Sequence, residues 1–363
     1  MRIAILDVGS NSAHLKIVDL GDDGAIRDVD SAKHPTRLAE RTGPGGRIDD
    51  AAVERLARAV GTARRMALER GADEMVAFAT SAIRGAGDQD AVVARIADRT
   101  GVRLESLPGR DEARLTFLAA RAWYGRSAGP LLLADIGGGS LELAAGDGLE
   151  AAATLSVPLG AGRLTRDHLP DDPPEPEQIE RLAEHIRRVF ADRVHAELSP
   201  ERLDAIAGPH LDFRAVVTSK TFKQLARLTG GRNRDGHRVL KRKRLRQQIP
   251  RLAKLPSGQR ARLKGVSESR ARQILAGAMV AEAFMTAFDL RHVELCPWAL
   301  REGIALRRLQ QLSATRSRHH DIDDLIRPLT PSAPTSPTFV LPGHPVPPPR
   351  PPDHAASPRR LGA

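Results

Sequence analysis

The chain has 363 residues, 41% of them hydrophobic, and a formal net charge of +11. That is enough for two domains with their own cores, and the positive surplus points to an anionic substrate or partner. Aromatic residues are only 3% and there is one cysteine, Cys296, which argues against base stacking on single-stranded nucleic acid and excludes an intrachain disulfide or a cysteine metal site.

In chain order, Ile3 to Leu6 is an apolar run that ends in Asp7. Asp7 interrupts it too early for a signal peptide, and no later run approaches a bilayer span, so the chain reads as soluble and cytoplasmic, with no role at a membrane. A polar turn, Gly9-Ser10-Asn11-Ser12, follows, and an alternating segment (Leu15, Ile17, Val18) resumes. Residues 21 to 50 read as loop and further strand. A helix follows Asp49 and Asp50, with Val53, Leu56, Val60 and Ala63 at helical spacing, and Gly71 stops it. Met75 to Ala79 reads as strand, 88 to 100 as helix, 102 to 107 as strand, and Gly109 opens a helix to about Tyr124. Residues 125 to 130 read as an interdomain linker.

The stretch Leu131 to Ala145 repeats the opening pattern. An apolar run ends in Asp135, the turn Gly137-Gly138-Gly139-Ser140 follows, and Leu141-Glu142-Leu143 resumes the alternation. This is strand, glycine turn, strand. Three glycines let backbone N–H groups converge on an anion. Asp135 and Glu142 flank that place, and carboxylates repel phosphate unless a hard cation lies between them, which suggests a magnesium-assisted phosphate site. The bland alternative is a plain glycine turn. Its duplication implies two similar lobes with a ligand cleft between them.

Beyond it, 152 to 158 reads as strand, 179 to 198 as amphipathic helix, Leu203 to Ala207 as strand-like, and 216 to 221 as strand entering a helix through Leu228. Ser267 to Phe288 reads as one buried helix, Val293 to Leu295 as strand and Ala299 to Leu309 as helix. Domain bounds are set at 1–125, 126–311 and a disordered Pro-rich tail over 312–363. Residues 231 to 272 hold fifteen basic and two acidic residues, either a solvated helical face or a polyanion track; a nucleic-acid site is the weaker reading. His319 and His320 with Asp321, Asp323 and Asp324 read as solvated surface, and Cys296 as core.

Five motifs occur in order: DVGSNSAHL at 7–15, ATSAIR at 79–84, GRDEARL at 109–115, DIGGGSLEL at 135–143 and WALREGI at 298–304. Together they resemble the exopolyphosphatase / guanosine pentaphosphate phosphohydrolase (Ppx/GppA) family, in a short form without extra C-terminal domains. The resemblance covers residues 1 to about 311. It implies an α/β fold of two actin-like lobes, the fold shared with sugar kinases, each a mixed sheet flanked by helices, with the site in the interlobe cleft. It implies hydrolysis of the terminal phosphoanhydride of inorganic polyphosphate, or of the 5′ phosphate of pppGpp, with Mg2+ (or Mn2+). By the same resemblance Glu112 matches the base for the attacking water, Asp135 and Glu142 the metal carboxylates, and Arg84 a cation gripping the phosphate chain. Gly9, Ser10, Asn11 and Ser12 match the first phosphate turn; Gly137, Gly138, Gly139 and Ser140 match the second.

Three residues depart from the family pattern: Asp111 stands where Glu is usual, Leu141 where Thr is usual, and Val217 in a turn that many relatives make from glycines. In that turn Lys220 adds a cation for a distal phosphate. The bulk of Val217 weakens the inference of a nucleotide base there and tilts the expectation to polyphosphate, and the short form without extra C-terminal domains tilts it to shorter chains. A pppGpp hydrolase and a catalytically weak polyphosphate or alarmone sensor are the alternatives; a homodimer is left open.

Overall fold

Each apolar run that ends in an aspartate opens a three-stranded meander. The computed structural model describes residues 1–36, 38, 47–208, 212–233, 236, 238–312 and 326–329. β1 (Arg2–Val8) pairs antiparallel with β2 (Ser12–Leu20), and β2 with β3 (Ile26–Pro35). Helix α1 (Asp50–Glu69) starts where the Asp49 side chain accepts from the Ala52 N–H, and it buries Val53, Leu56, Val60 and Ala63 as the periodicity predicts. It carries the chain back to β4 (Glu74–Ala79), parallel to β1. Helices α2 (Ser81–Arg84) and α3 (Gln89–Thr100) and strand β5 (Glu105–Ser106), parallel to β4, lead into α4 (Gly109–Tyr124).

The plan then repeats. β6 (Leu131–Ile136), β7 (Leu141–Gly146) and β8 (Ala153–Val157) form the second meander. Helices α5 (Ala161–His168), α6 (Pro176–Val189), α7 (His195–Glu197) and α8 (Pro200–Ala207) precede β9 (Arg214–Thr218), which is parallel to β6. There follow α9 (Ser219–Thr229), β10 (Val239–Lys241), α10 (Arg242–Lys254), α11 (Ser257–Arg260), α12 (Glu268–Ala271) and α13 (Ile274–Ala287). β11 (His292–Leu295), parallel to β9, α14 (Leu300–Leu312) and β12 (Ile326–Pro328) complete the described chain. The first sheet runs β12-β4-β1-β2-β3 with β5 also on β4, and the second runs β10-β11-β9-β6-β7-β8. The duplicated meander is thus a duplicated sheet.

Alternate residues of each strand face opposite layers. Ala4, Leu6 and Val8 pack on α1, while Ile3 and Ile5 pack on Leu115 of α4 and Ile304 of α14. On the other sheet Leu131 and Leu133 meet Ala113, Phe117 and Ala120 of α4, and the opposite face meets α5, α6, α9 and α13. Helices α4 and α14 are therefore the shared middle layer. They cross so closely that a Cβ on Gly303 would lie 1.9 Å from the Leu115 carbonyl oxygen. The boundary drawn at 125/126 does not separate the packing: α4, N-terminal to it, covers the second sheet, and α14 covers the first. The expected linker is a single 3-10 turn, Arg126–Ala128, between Gly125 (φ 74°) and Gly129 (φ 70°).

Other expectations need correction. Leu203 to Ala207 lies in a helix, α8, capped by Ser199, whose hydroxyl accepts from the Arg202 N–H at 3.3 Å, with Pro200 in the first turn. The buried helix expected from Ser267 to Phe288 is two helices, α12 and α13, broken at Arg272-Gln273. The strand expected over 102 to 107 forms only at β5. The tail set as disordered from residue 312 contains β12, paired antiparallel with Glu74 to Val76 of β4. Residues 313–325, with His319, His320, Asp321, Asp323 and Asp324, and residues 330–363 lie outside the described residues.

Candidate active site in the interlobe cleft

The β1–β2 and β6–β7 turns come from opposite lobes and touch. A Cβ on Gly138 would fall 1.7 Å from the Ser10 Oγ and 2.9 Å from its Cβ; one on Gly139 would fall 2.4 Å from the Ser81 Oγ. Only glycine permits this approach. Gly160, capping α5, packs against the backbone of Gly139 and Ser140. Gln273 Nε2 donates to Asn11 Oδ1 across the lobes at 2.9 Å.

Between the turns lies a cavity of about 530 Å³. Gly9, Ser10, Asn11, Ser12, Glu112, Asp135, Gly137, Gly138, Ser140, Glu142 and Lys220 of the expected site all line it. Gly139 and Arg84 are not among the lining residues. Arg84 Nη1 instead donates to Glu112 Oε1 at 2.7 Å and to the Leu107 carbonyl, so it fixes the Glu112 side chain from behind.

Asp135 and Glu142 stand directly opposite each other in the β6–β7 register. Asp7, at the matching place on β1, also lines the cavity, and Arg301 of α14 pairs with it at 3.2 Å. The four carboxyl groups crowd one buried space, and each is pushed above the ordinary carboxylate range. Burial raises Asp7, with Arg301 opposing it. Burial and then Asp7 raise Asp135 to about 6. Burial and then Asp135 raise Glu142 to about 7. Burial and then Glu142 raise Glu112, against the pull of Arg84. Ser156 Oγ donates to Glu142 Oε1 at 2.9 Å. Facing carboxylates that resist joint ionisation are an oxygen donor set suited to a hard divalent cation. Among the described residues no three His, Cys, Asp or Glu side chains are grouped closely enough to hold a metal alone. Magnesium commonly takes one or two carboxylates and completes its shell with water and substrate phosphate.

The model of the Ppx/GppA phosphatase family matches residues 17–312. Exopolyphosphatase 1 of Mycobacterium tuberculosis is 47% identical over 313 residues, covering 85% of this chain and 88% of that protein. Exopolyphosphatase 1 of Mycobacterium leprae is 45% identical, covering 85% and 90%. The chain belongs to the Ppx/GppA phosphatase family. The crystal structure of the Aquifex aeolicus family member, 25% identical, aligns over 87% of this chain and 99% of its own with a TM-score of 0.68.

The family motifs led to the glycine turns and the acids but not to most of the cations that share the cavity with them. Lys33 of β3, Lys223 and Arg227 of α9, Arg270 of α12 and Arg301 of α14 all line the cavity with Lys220. Asp7 had a signal, its match to Asp135 in the repeated hairpin, and Arg301 lies inside WALREGI. Lys33 had none, because it lies in no family motif, and Arg270 had only its place in the basic segment 231 to 272.

Several cations of the basic segment are structural. Arg242 donates to the Met285 carbonyl and pairs with Asp289, Arg244 holds the Thr229 and Gly230 carbonyls, and Arg246 pairs with Glu282. Arg260 holds the Leu252 carbonyl and Arg272 those of Leu169, Pro170 and Asp171. Of the described residues in that segment, Arg270 lines the cleft.

The departures resolve locally. Leu141 is fully buried in the sheet core opposite Val157. Asp111 pairs with Arg114 at 2.8 Å. Val217 is fully buried in β9, so its bulk does not fill the cleft and does not exclude a base. The residues that face the cleft are Thr218, Ser219 and Lys220, and Ser219 has a φ of 84°, a left-handed conformation that costs a non-glycine residue energy.

Proposed function

We propose that this protein is a cytoplasmic exopolyphosphatase, hydrolysing the terminal phosphoanhydride of inorganic polyphosphate, shorter chains in preference, and releasing orthophosphate. The observation that carries the reading is the meeting of two phosphate turns in one cavity that is also lined by the four carboxyl groups Asp7, Glu112, Asp135 and Glu142 and by several lysines and arginines. The exopolyphosphatase names of the mycobacterial relatives support it.

A phosphoanhydride resists water mainly because its negative charge repels nucleophiles, so catalysis requires neutralisation, alignment and a base. The N–H groups and hydroxyls of the two turns hold the terminal phosphate. Asp135 and Glu142 would hold Mg2+ or Mn2+, which when bound neutralises charge on the phosphate oxygens. Glu112, with one oxygen fixed by Arg84, accepts the proton of the attacking water. The water oxygen bonds to the terminal phosphorus, the bridging P–O bond breaks, and the electron pair leaves on the shortened chain. A carboxyl group with a raised pKa makes a stronger base than an exposed one. In this reading Arg84 acts through Glu112.

The test is phosphate release by the purified protein with magnesium, comparing polyphosphates of several lengths, pppGpp and ATP. Release should be fastest from polyphosphate, and Glu112→Gln should lower kcat by roughly 10²–10⁴-fold with an unchanged thermal midpoint. Faster release from pppGpp would make this an alarmone phosphohydrolase. Tight binding without release from any substrate would make it a sensor.

A further inference from the structure

Gly137, Gly138 and Gly139 send their three carbonyls to one helix, α5. The Ala161 N–H donates to the Gly137 carbonyl at 3.1 Å and the Arg163 N–H to the Gly138 carbonyl at 2.8 Å. The Arg163 side chain takes the third: its Nε–H donates to the Gly139 carbonyl at 2.9 Å. The two backbone donors belong to the first turn of α5, whose N–H groups have no partner within the helix. Neither Ala161 nor Arg163 lines the cavity, whereas Gly138 and Ser140 do, so α5 grips the turn from outside the cleft. A trans peptide points the carbonyl of one residue and the N–H of the next in opposite directions. Carbonyls held by α5 therefore aim the N–H groups of Gly138, Gly139 and Ser140 away from those donors. Among the described residues no backbone carbonyl takes a hydrogen bond from these three N–H groups. The far end of the Arg163 guanidinium lies against the first lobe, where a Cβ on Gly85 would be 3.2 Å from its Nη2. The side chain is thus wedged between the Gly139 carbonyl and the end of α2. Arg163 lies in none of the five motifs.

We propose that Arg163 is a positioning residue for hydrolysis: through the Gly139 carbonyl it fixes the peptide joining Gly139 to Ser140, and so aims the Ser140 N–H at the phosphate being cleaved. The identity of that phosphate rests on the exopolyphosphatase reading. Arg163 acts through the turn and touches no substrate. Without the Nε–H donor the Gly139 carbonyl is left unpaired, and a three-glycine turn has the torsional freedom to rotate that peptide in search of a partner. Donors fixed in advance cost no reorganisation as charge develops on the phosphoryl oxygens, so their loss falls on the transition state.

The test compares two uncharged replacements in the full chain. Arg163→Gln keeps an N–H donor at the position of Nε, and Arg163→Met puts a methyl group there. In phosphate release from polyphosphate with magnesium, Arg163→Met should lower kcat at least about ten-fold, towards the roughly 10²–10³ that deleting such a donor costs. Its KM should stay within about three-fold of the parent, because the ground state is bound by the rest of the site. Arg163→Gln should keep kcat within about three-fold. Arg166→Ala removes an exposed cation of the same helix, paired with Asp167, and should keep both constants within about two-fold. Binding without turnover is read on the Glu112→Gln background. There, tripolyphosphate should protect residues 137–141 from hydrogen exchange, and adding Arg163→Met should remove that protection while adding Arg163→Gln preserves it. Where Arg163→Met does not fold, Arg163→Ala is used, and millimolar guanidinium, which returns N–H donors to the truncated position, should raise its kcat several-fold.

A loss in Arg163→Gln as large as that in Arg163→Met would overturn the positioning role, because charge and not the Nε–H donor would then be at work. So would a raised KM with kcat unchanged, which would put the guanidinium on the substrate. A kcat for Arg163→Met within two-fold of the parent, or no response of Arg163→Ala to guanidinium, would overturn it as well. If the parent releases no phosphate from any polyphosphate, the hydrolase reading falls, and protection of 137–141 by tripolyphosphate decides by itself whether Arg163 holds the turn.

Discussion

Lys33 is where residue chemistry gives the sharpest pH signature. Its charged form is disfavoured in the free protein, so its pKa is about 8 against an ordinary value near 10.4. A depressed lysine costs the folded state stability at pH values below its folded pKa, and that cost is relieved as pH rises towards the unfolded value. Anion binding needs the charged form, so the KM for polyphosphate should climb once pH passes about 8. The groups around Lys33 are His14 on β2, Asp7 on β1, Lys220 on α9, Arg270 on α12 and Arg301 on α14. His14 does not compete for the effect: burial and then Arg301 hold it down to about 4, so it is neutral throughout that range. Lys33→Arg keeps its charge at all these pH values. Its KM should stay flat from pH 7.5 to 9, and a climb equal to that of the parent would assign the limb to another group.

At the scale of elements, two glycines separate catalysis from stability. On Gly160 a Cβ would lie 2.2 Å from the Gly139 carbonyl carbon and 2.3 Å from the Ser140 nitrogen. Those are backbone atoms, so the second phosphate turn itself must move. Gly160→Ala should therefore lower kcat/KM by at least ten-fold, roughly the cost of slightly misplacing a positioned group. Gly303 meets the Leu115 carbonyl where α14 crosses α4. Gly303→Ala should cost about 2–3 kcal/mol of folding stability, the upper range for overpacking, read as a lowered denaturant midpoint, with activity at low temperature near that of the parent. A normal midpoint would mean that the helices can slide apart.

For the whole molecule, the question is what the +11 charge does. Part of the surplus in residues 231 to 272 is consumed in holding carbonyls and acids of the second lobe, Arg242, Arg244 and Arg272 among them. Lys241 and Lys243 are exposed and lie outside the cleft. The joint substitution Lys241→Ala and Lys243→Ala should change the KM for long polyphosphate by less than about two-fold, since isolated surface charges contribute little and are screened by salt. A larger rise, specific to long chains, would restore a polyanion track along α10.

The duplicated hairpin was legible because strand, aspartate, glycine turn and strand are local in sequence. The same holds for α1, whose cap and apolar spacing lie within one element. Helix α8 was misread because Leu203 and Ala207 are few enough to suit either period, and Ser199-Pro200 decides it. The sequence alone determined the two lobes, the family, and the residue types of both phosphate turns. Only the tertiary structure decided that α4 and α14 interlock the lobes, that Arg84 stands behind Glu112, and that Lys33 meets Lys220. These are contacts between residues far apart in the chain. No local pattern encodes them, because they arise only when the packing of two sheets on shared helices closes the cleft.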